Sequence, residues 1–251
     1  MLSRRSKMES EASIGMSDFN RIAEQYEDLV DQSLPKNDEF FQGSDHAYFN
    51  EYKLRYLRPV FCKIEATIKR PLKLLDYGCG TGIFSEVLAD AFPQYQIHGF
   101  DIAEKSIEEV PESLLQHEGI RFTSSLMNLD EDYDIALLVT VLHHVSLDER
   151  NDVFQNILSR LRPGGRLIII EHNMKNPVTR NVVRRCVFDQ DAEMLTRRET
   201  VRLLRNAGFK NLQSRYIVFF PKRFAEFRWM DRFLKRVPMG AQFMAMGCKG
   251  L

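Results

Sequence analysis

Leu74-Leu75-Asp76-Tyr77-Gly78-Cys79-Gly80-Thr81-Gly82 is the stretch on which the reading of this chain turns. Leu72, Leu74 and Leu75 predict a short buried strand. It ends in an acid, and glycines follow at alternate positions. Ile83, Phe84, Val87, Leu88 and Ala91 then fall on one face of a helix. Strand, glycine turn and helix open a βαβ unit of the nucleotide-holding kind. Glycine is needed because a side chain would hold a ligand off the backbone, and because some turn positions want positive φ. The N–H groups at the helix start are then free to meet polar or negative ligand groups.

Working outward, the same alternation recurs. Tyr95-Gln96-Ile97-His98-Gly99-Phe100-Asp101 predicts a second strand ending in an acid, and residues 103–115 a helix with a fault at Pro111. Residues 120–123 and 133–140 predict a third and a fourth strand, the latter apolar throughout, as a strand covered on both faces should be. A helix over 148–161, the Pro163-Gly164-Gly165 turn and a fifth strand over 166–171 follow. Residues 172–196 show no period. A helix over 196–207, a sixth strand within 209–220 and a last strand over 240–248 complete the pattern. Strands alternating with helices imply a mostly parallel sheet covered on both faces. Before the glycine turn, Asp18 is placed to cap a helix carrying Phe19, Ile22, Ala23 and Tyr26. A longer helical pattern covers 45–69, which Pro59 would either kink or divide. Residues 18–70 read as a helical cap over the ligand edge of the sheet, and residues 1–17 as disordered.

Bulk properties bound the function. A chain of 251 residues that is 44% hydrophobic suits one large α/β domain, here over 18–251. Its 35 basic and 35 acidic residues make no general basic field, so nucleic-acid binding is not expected. Cys62, Cys79, Cys186 and Cys248 lack metal or disulfide spacing, which points to a reducing, cytoplasmic setting. No apolar run approaches the roughly 20 residues of a membrane-spanning helix.

The acid-x-Gly-x-Gly-x-Gly turn differs from the dinucleotide fingerprint. Asp101 ends the second strand, where a carboxylate can take the two hydroxyls of a ribose. A further acid at the turn, Asp76, would repel a pyrophosphate but suits a ligand with an ammonium group and a free ribose. S-adenosylmethionine has both, with a sulfonium besides.

Here the chain resembles the class I S-adenosylmethionine-dependent methyltransferases, in their small-molecule branch. Residues 74–82 resemble the first motif of that family, and Gly99-Phe100-Asp101-Ile102 the second. Tyr133-Asp134-Ile135-Ala136-Leu137-Leu138 with Leu142-His143-His144-Val145 resembles the fourth strand and its turn. Leu161-Arg162-Pro163-Gly164-Gly165-Arg166-Leu167 resembles the approach to the fifth. Phe19-Asn20-Arg21-Ile22-Ala23-Glu24-Gln25-Tyr26 is similar to the family's leading helix. The resemblance covers residues 18–210. It implies a Rossmann-like, seven-stranded, mostly parallel sheet with an antiparallel last strand. It also implies a cofactor site of Asp76, Gly78, Gly80, Gly82, Asp101, Ile102, Ser124, Thr140 and Tyr26. Where the family often places an acid against the adenine amino group, this chain has Thr123-Ser124-Ser125, so Ser124 or backbone must serve.

For the methyl acceptor, His143 and His144 follow the fourth strand and Glu171, His172 and Asn173 the fifth, both at the ligand-binding edge. His143, His144, His172 and Glu171 are the catalytic candidates for a hydroxyl acceptor, which needs a base. A histidine that only caps or packs is the plain alternative. The spacing of acids gives no metal set, so none is expected. Transfer to oxygen of a small molecule is the leading expectation. Carbon methylation of a quinone-like or lipid-linked acceptor is one alternative, and a non-catalytic cofactor-binding protein another. Residues 221–238 mix Phe224, Phe227, Trp229, Met230 and Phe233 with Arg223, Arg228, Arg232, Lys235 and Arg236. Wound as a helix they are amphipathic with a basic face. That reads either as a lid packing its aromatics inward or as a peripheral contact with an anionic membrane.

Overall fold

The computed structural model describes residues 45–186, Asp189 and residues 192–251. The expected disorder of residues 1–17, the helix expected from Asp18, and Tyr26 with it, lie outside the described residues.

Helix α1 (Asp45–Ile68) leads into β1 (Lys73–Tyr77), α2 (Ile83–Ala91), β2 (Gln96–Phe100), α3 (Glu104–Glu108), α4 (Glu112–Leu115) and β3 (Ile120–Thr123). Then come β4 (Tyr133–Val139), α5 (Arg150–Arg160), β5 (Leu161–His172), α6 (Pro177–Arg185), α7 (Arg197–Asn206), β6 (Lys210–Ile217), α8 (Asp231–Leu234) and β7 (Gln242–Cys248). The sheet runs β3-β2-β1-β4-β5-β7-β6. The pairs among β1 to β5 are parallel, and β7 is antiparallel to both β5 and β6. Strand β1 lies between β2 and β4, where the order of strands reverses, so a crevice opens beyond its carboxyl end.

Both faces of the sheet are buried. Along β5, Ile168 and Ile170 join one core with Leu74, Ile97 and Phe61, while Leu167 and Ile169 join the other with Phe154, Leu204 and Phe209. This two-residue alternation on apolar side chains is what a doubly covered strand requires. Helix α1 continues through Pro59, so of the two expected effects of that proline, division does not occur there. A mid-helix proline costs about 3 kcal/mol. Fully burying Leu57 and Phe61 returns about 1.5–3 kcal/mol each, which tips the balance toward a continuous helix.

Two polar anchors fix the frame. Asp134, fully buried at the start of β4, accepts from Arg70 at 2.8 and 3.1 Å, the Lys73 amide at 2.8 Å and Arg162 at 2.6 Å. Asp231, at the start of α8, accepts from the hydroxyls of Tyr52 at 2.7 Å and Tyr56 at 2.5 Å. The segment before it is not the continuous amphipathic helix expected. Lys222–Met230 winds as a 3₁₀ turn with a kink at Phe224, and α8 follows as a single short turn. The cause is tertiary. Asp231 is held by the two tyrosines, and the Arg228 guanidinium lies over the rings of Tyr48 and Tyr52. The segment is thereby pinned to α1 at points that a regular helix would not match.

Residues 172–196, without a readable period, contain α6. Asn176 caps it by accepting from the amides of Val178 and Thr179, with Pro177 at the first helical position.

Candidate active site

The glycine turn is built by its neighbours. Gly78, Gly80 and Gly82 have φ of +79°, +55° and +86°. The amides of Gly78 and Cys79 both donate to the Phe100 carbonyl, tying the turn after β1 to the end of β2. The Gly80 amide donates to Asp101 Oδ2 at 2.8 Å, and Ala103 donates to Oδ1 at 2.9 Å. A Cβ on Gly78 would stand 2.6 Å from both methyls of Val141, which packs down from the turn after β4. A Cβ on Gly80 would meet nothing within 4 Å. Gly78 is therefore set by close approach of protein, and Gly80 by its backbone shape beside open space.

Asp76 is buried and accepts from Ser85 Oγ at 2.6 Å. Burial pushes its carboxyl up to about 6; Ser85 opposes the rise, Asp101 adds to it, and the Lys53 ammonium also pulls it down. Burial likewise pushes Asp101 up. Lys53, which sequence reasoning missed, projects from α1 and is pushed down to about 8 by burial, with Asp76 opposing. Its Nζ sits 5.3 Å over the Phe84 ring and donates to Asn50. No motif marks it; only the packing of α1 on α2 brings it here. Ile102 is 60% exposed, an apolar surface beside Asp101. Ser124 directly follows β3. Thr140, at φ +57°, leaves β4 in a conformation costing about 1–3 kcal/mol for a branched residue. Cys79 is buried with its thiol pushed well above its ordinary value, so it fills space rather than reacting.

The histidine turn, Leu142–His144, lies against the end of β5. Glu171 is fully enclosed. Its Oε1 accepts from the amides of Val141 and Leu142 at 3.2 and 2.7 Å, and its Oε2 from His143 Nδ1 at 2.6 Å. His143 Nε2 faces Asp189 Oδ1 at 3.2 Å, and His144 Nε2 stands 3.6 Å from the same oxygen. Burial alone would push His143 down, but Glu171 and Asp189 outweigh it and lift it to about 10. Burial and the charge on His143 lower His144 and His172 to about 4, so both rings are neutral at pH 7. The rings of His143 and His172 lie 5.4 Å apart. The four expected residues His143, His144, Glu171 and His172 thus come together. Asn173 does not join them: its side-chain amide donates to the carbonyls of Pro238 and Gly240 and fixes the approach to β7. Arg150, also missed, is buried and donates to the carbonyls of Leu142, Val145 and Glu193, bracing the histidine turn from behind.

A methyltransferase-domain family model matches residues 47–214. The chain belongs to the methyltransferase-domain family. Among similar proteins, O-methyltransferase resE of Aspergillus sclerotiorum is 31% identical over 151 residues, covering 56% of this chain and 55% of that one. Trans-aconitate 2-methyltransferase of Pseudomonas paraeruginosa is 29% identical over 120 residues, covering 47% of this chain and 42% of the enzyme. The match therefore spans about half, or less, of either methyltransferase relative. The crystal structure of the S-adenosylmethionine-dependent methyltransferase SibL superposes with a TM-score of 0.61 at 16% identity, over 88% of this chain and 61% of that one, a likeness of fold.

S-adenosylmethionine is the cofactor of this methyltransferase family. The residues present fit it. The open side of Gly80 admits a ligand against the backbone. Each Asp101 carboxylate oxygen accepts one N–H and keeps a lone pair for a hydroxyl. Asp76, when ionised, would set a negative charge suited to an ammonium.

Proposed function

We propose that this protein transfers the methyl group of S-adenosylmethionine to a small-molecule acceptor, at a hydroxyl oxygen. The observation that supports this best is a juxtaposition. The glycine turn with its two acids and the His143–Glu171 pair occupy the carboxyl ends of adjacent strands, in contact through Gly78 and Val141. When bound, the sulfonium supplies a methyl carbon activated for in-line displacement. Asp76 and the glycine backbone hold the amino-acid end, Asp101 the ribose, and Ile102 and Ser124 flank the base. Glu171 fixes the His143 ring, and the neutral imidazoles of His144 and His172 offer lone pairs for the acceptor's proton. The rest of the work is alignment and exclusion of water.

Titration calorimetry with S-adenosylmethionine tests this directly. Absence of binding to both the cofactor and its demethylated product ends the reading. A pH series adds a signature of Asp76. Its free carboxyl titrates near 6, and the ammonium favours the charged form, so cofactor affinity rises with pH through that region and levels off above it. Affinity is expected to be about tenfold weaker at pH 5 than at pH 7. D76N is expected to bind weakly and flatten that dependence; a sloping profile in D76N assigns it elsewhere.

The surface around α8 favours a second reading, an acceptor presented at an anionic membrane. Trp229 and Phe233 are 57% and 65% exposed, and the Arg232 guanidinium stacks on both rings. Aromatic rings among cations suit the headgroup region. Among the described residues no helix is long and apolar enough to cross a membrane. Co-sedimentation with phosphatidylserine vesicles is expected for the wild type and strongly reduced for W229E; equal recovery with neutral vesicles rejects this reading.

A further inference from the structure

We propose that His143, His144 and Asp189 bind one divalent cation of the zinc, manganese or iron(II) class, with Glu171 as the outer carboxylate behind its first ligand. Spacing along the chain does not show this set, because Asp189 arrives from a distant loop.

The separations match a shared ion. Ligand atoms at about 2.0–2.1 Å from a tetrahedral metal lie roughly 3.3 Å from one another. Asp189 Oδ1 stands 3.2 Å from His143 Nε2 and 3.6 Å from His144 Nε2. One ligand atom from each of the three residues falls within a 4.8 Å group. The 3.6 Å contact is too long for a hydrogen bond yet fits two ligands of one ion.

The group behind the first ligand fits as well. Glu171 Oε2 lies 2.6 Å from His143 Nδ1 and turns Nε2 toward Asp189 Oδ1. A divalent cation held between Nε2, His144 and Asp189 would replace the proton that otherwise bridges His143 and Asp189, and would balance both enclosed carboxylates. Carboxylate, histidine and metal in line is the usual way a protein fixes the ring of a ligand histidine.

Donor type sets the class of metal. Two imidazoles and one carboxylate suit borderline first-row ions, whereas magnesium and calcium take oxygen ligands. Three protein ligands leave a position open, as in catalytic rather than structural sites. Resting on the hydroxyl-acceptor reading above, that position would go to the acceptor oxygen; with His144 a ligand, the His172 ring, 5.4 Å from that of His143, would take the proton that the cation makes easier to remove.

The test is cobalt(II) titration of untagged, chelator-treated protein, with S-adenosylmethionine calorimetry run beside it. One equivalent of cobalt is expected to raise a visible absorption band. D189N and H144A are expected to lose it while keeping the cofactor heat, and E171Q to weaken cobalt binding about 10–100-fold. No band at millimolar cobalt, or the same band in D189N and H144A, overturns the site. Cofactor heat without cobalt binding sinks this inference alone; cobalt binding without cofactor heat supports the site and removes the methyltransferase reading instead.

Discussion

Replacing Glu171 by leucine is expected to cost about 3–5 kcal/mol of stability. Leucine fills a similar space, so the loss is electrostatic rather than a matter of packing. Three donors, the amides of Val141 and Leu142 and Nδ1 of His143, would face an apolar side chain inside the protein. Each unsatisfied buried donor costs about 1–3 kcal/mol. For a chain of this size the melting temperature falls by roughly 2–4 °C per kcal/mol, so a drop near 10 °C or more is expected. Turnover is expected to fall about 100-fold or more even where the variant stays folded, because the ring of His143 loses its orientation. Thermal melts and release of S-adenosylhomocysteine in the presence of metabolite extract measure the two effects. A melting temperature within 2 °C of the wild type would show that Glu171 does not anchor the turn.

Asp134→Ala is expected to match that loss of stability and to leave the chemistry alone. The carboxylate is fully buried and gathers Arg70, Arg162 and the Lys73 amide at the amino ends of β1 and β4. Hydrogen bonds to a charged group contribute about 1.5–3 kcal/mol each. The two arginines can return to solvent, being 49% and 24% exposed, whereas the amide cannot. A net cost of about 3 kcal/mol follows, or roughly 6–12 °C in melting temperature. Because the site lies at the opposite ends of these strands, cofactor affinity at 20 °C is expected to stay within about threefold, well under the 1.4 kcal/mol of a tenfold change. A large loss of affinity in a folded variant would mean that the two ends of the sheet are coupled.

What could be read from the chain and what could not divides along physical lines. The five parallel strands, the glycine turn and α1 were legible because their signal is local: apolar residues at a fixed period, bounded by acids and glycines. Asp76 and Gly80 lie in the glycine turn and Asp101 closes the next strand, so all three could be proposed from local pattern alone. Helix α6 was hidden because it buries little beyond Thr179 and Val183, which leaves no apolar stripe. Its legible sign was the cap, Asn176-Pro177. The break in the segment before α8 was illegible because Tyr52 and Tyr56, far back in α1, decide where it bends. Lys53 and Arg150 share that difficulty: each reaches the site from an element whose own sequence says nothing about it. For Arg150 the residue type misled as well, since a lone arginine opening a helix ordinarily faces water. It is buried here because three carbonyls, those of Leu142, Val145 and Glu193, receive its donors.

The strand order carries a consequence for how the chain assembles. Strand β7 enters between β5 and β6, so these two meet no partner on that side until residues 242–248 have been made. On the ribosome β1 to β5 can close early, since each pairs with strands already synthesised. The exposed rim of β5, rich in isoleucine, must then wait through about seventy further residues, several seconds at ordinary synthesis rates. An unpaired apolar rim of that kind is a template for other chains. Nascent chains stalled before residue 242 are thus expected to self-associate more readily than the full chain, and β7, pairing with both β5 and β6, is what closes the rim.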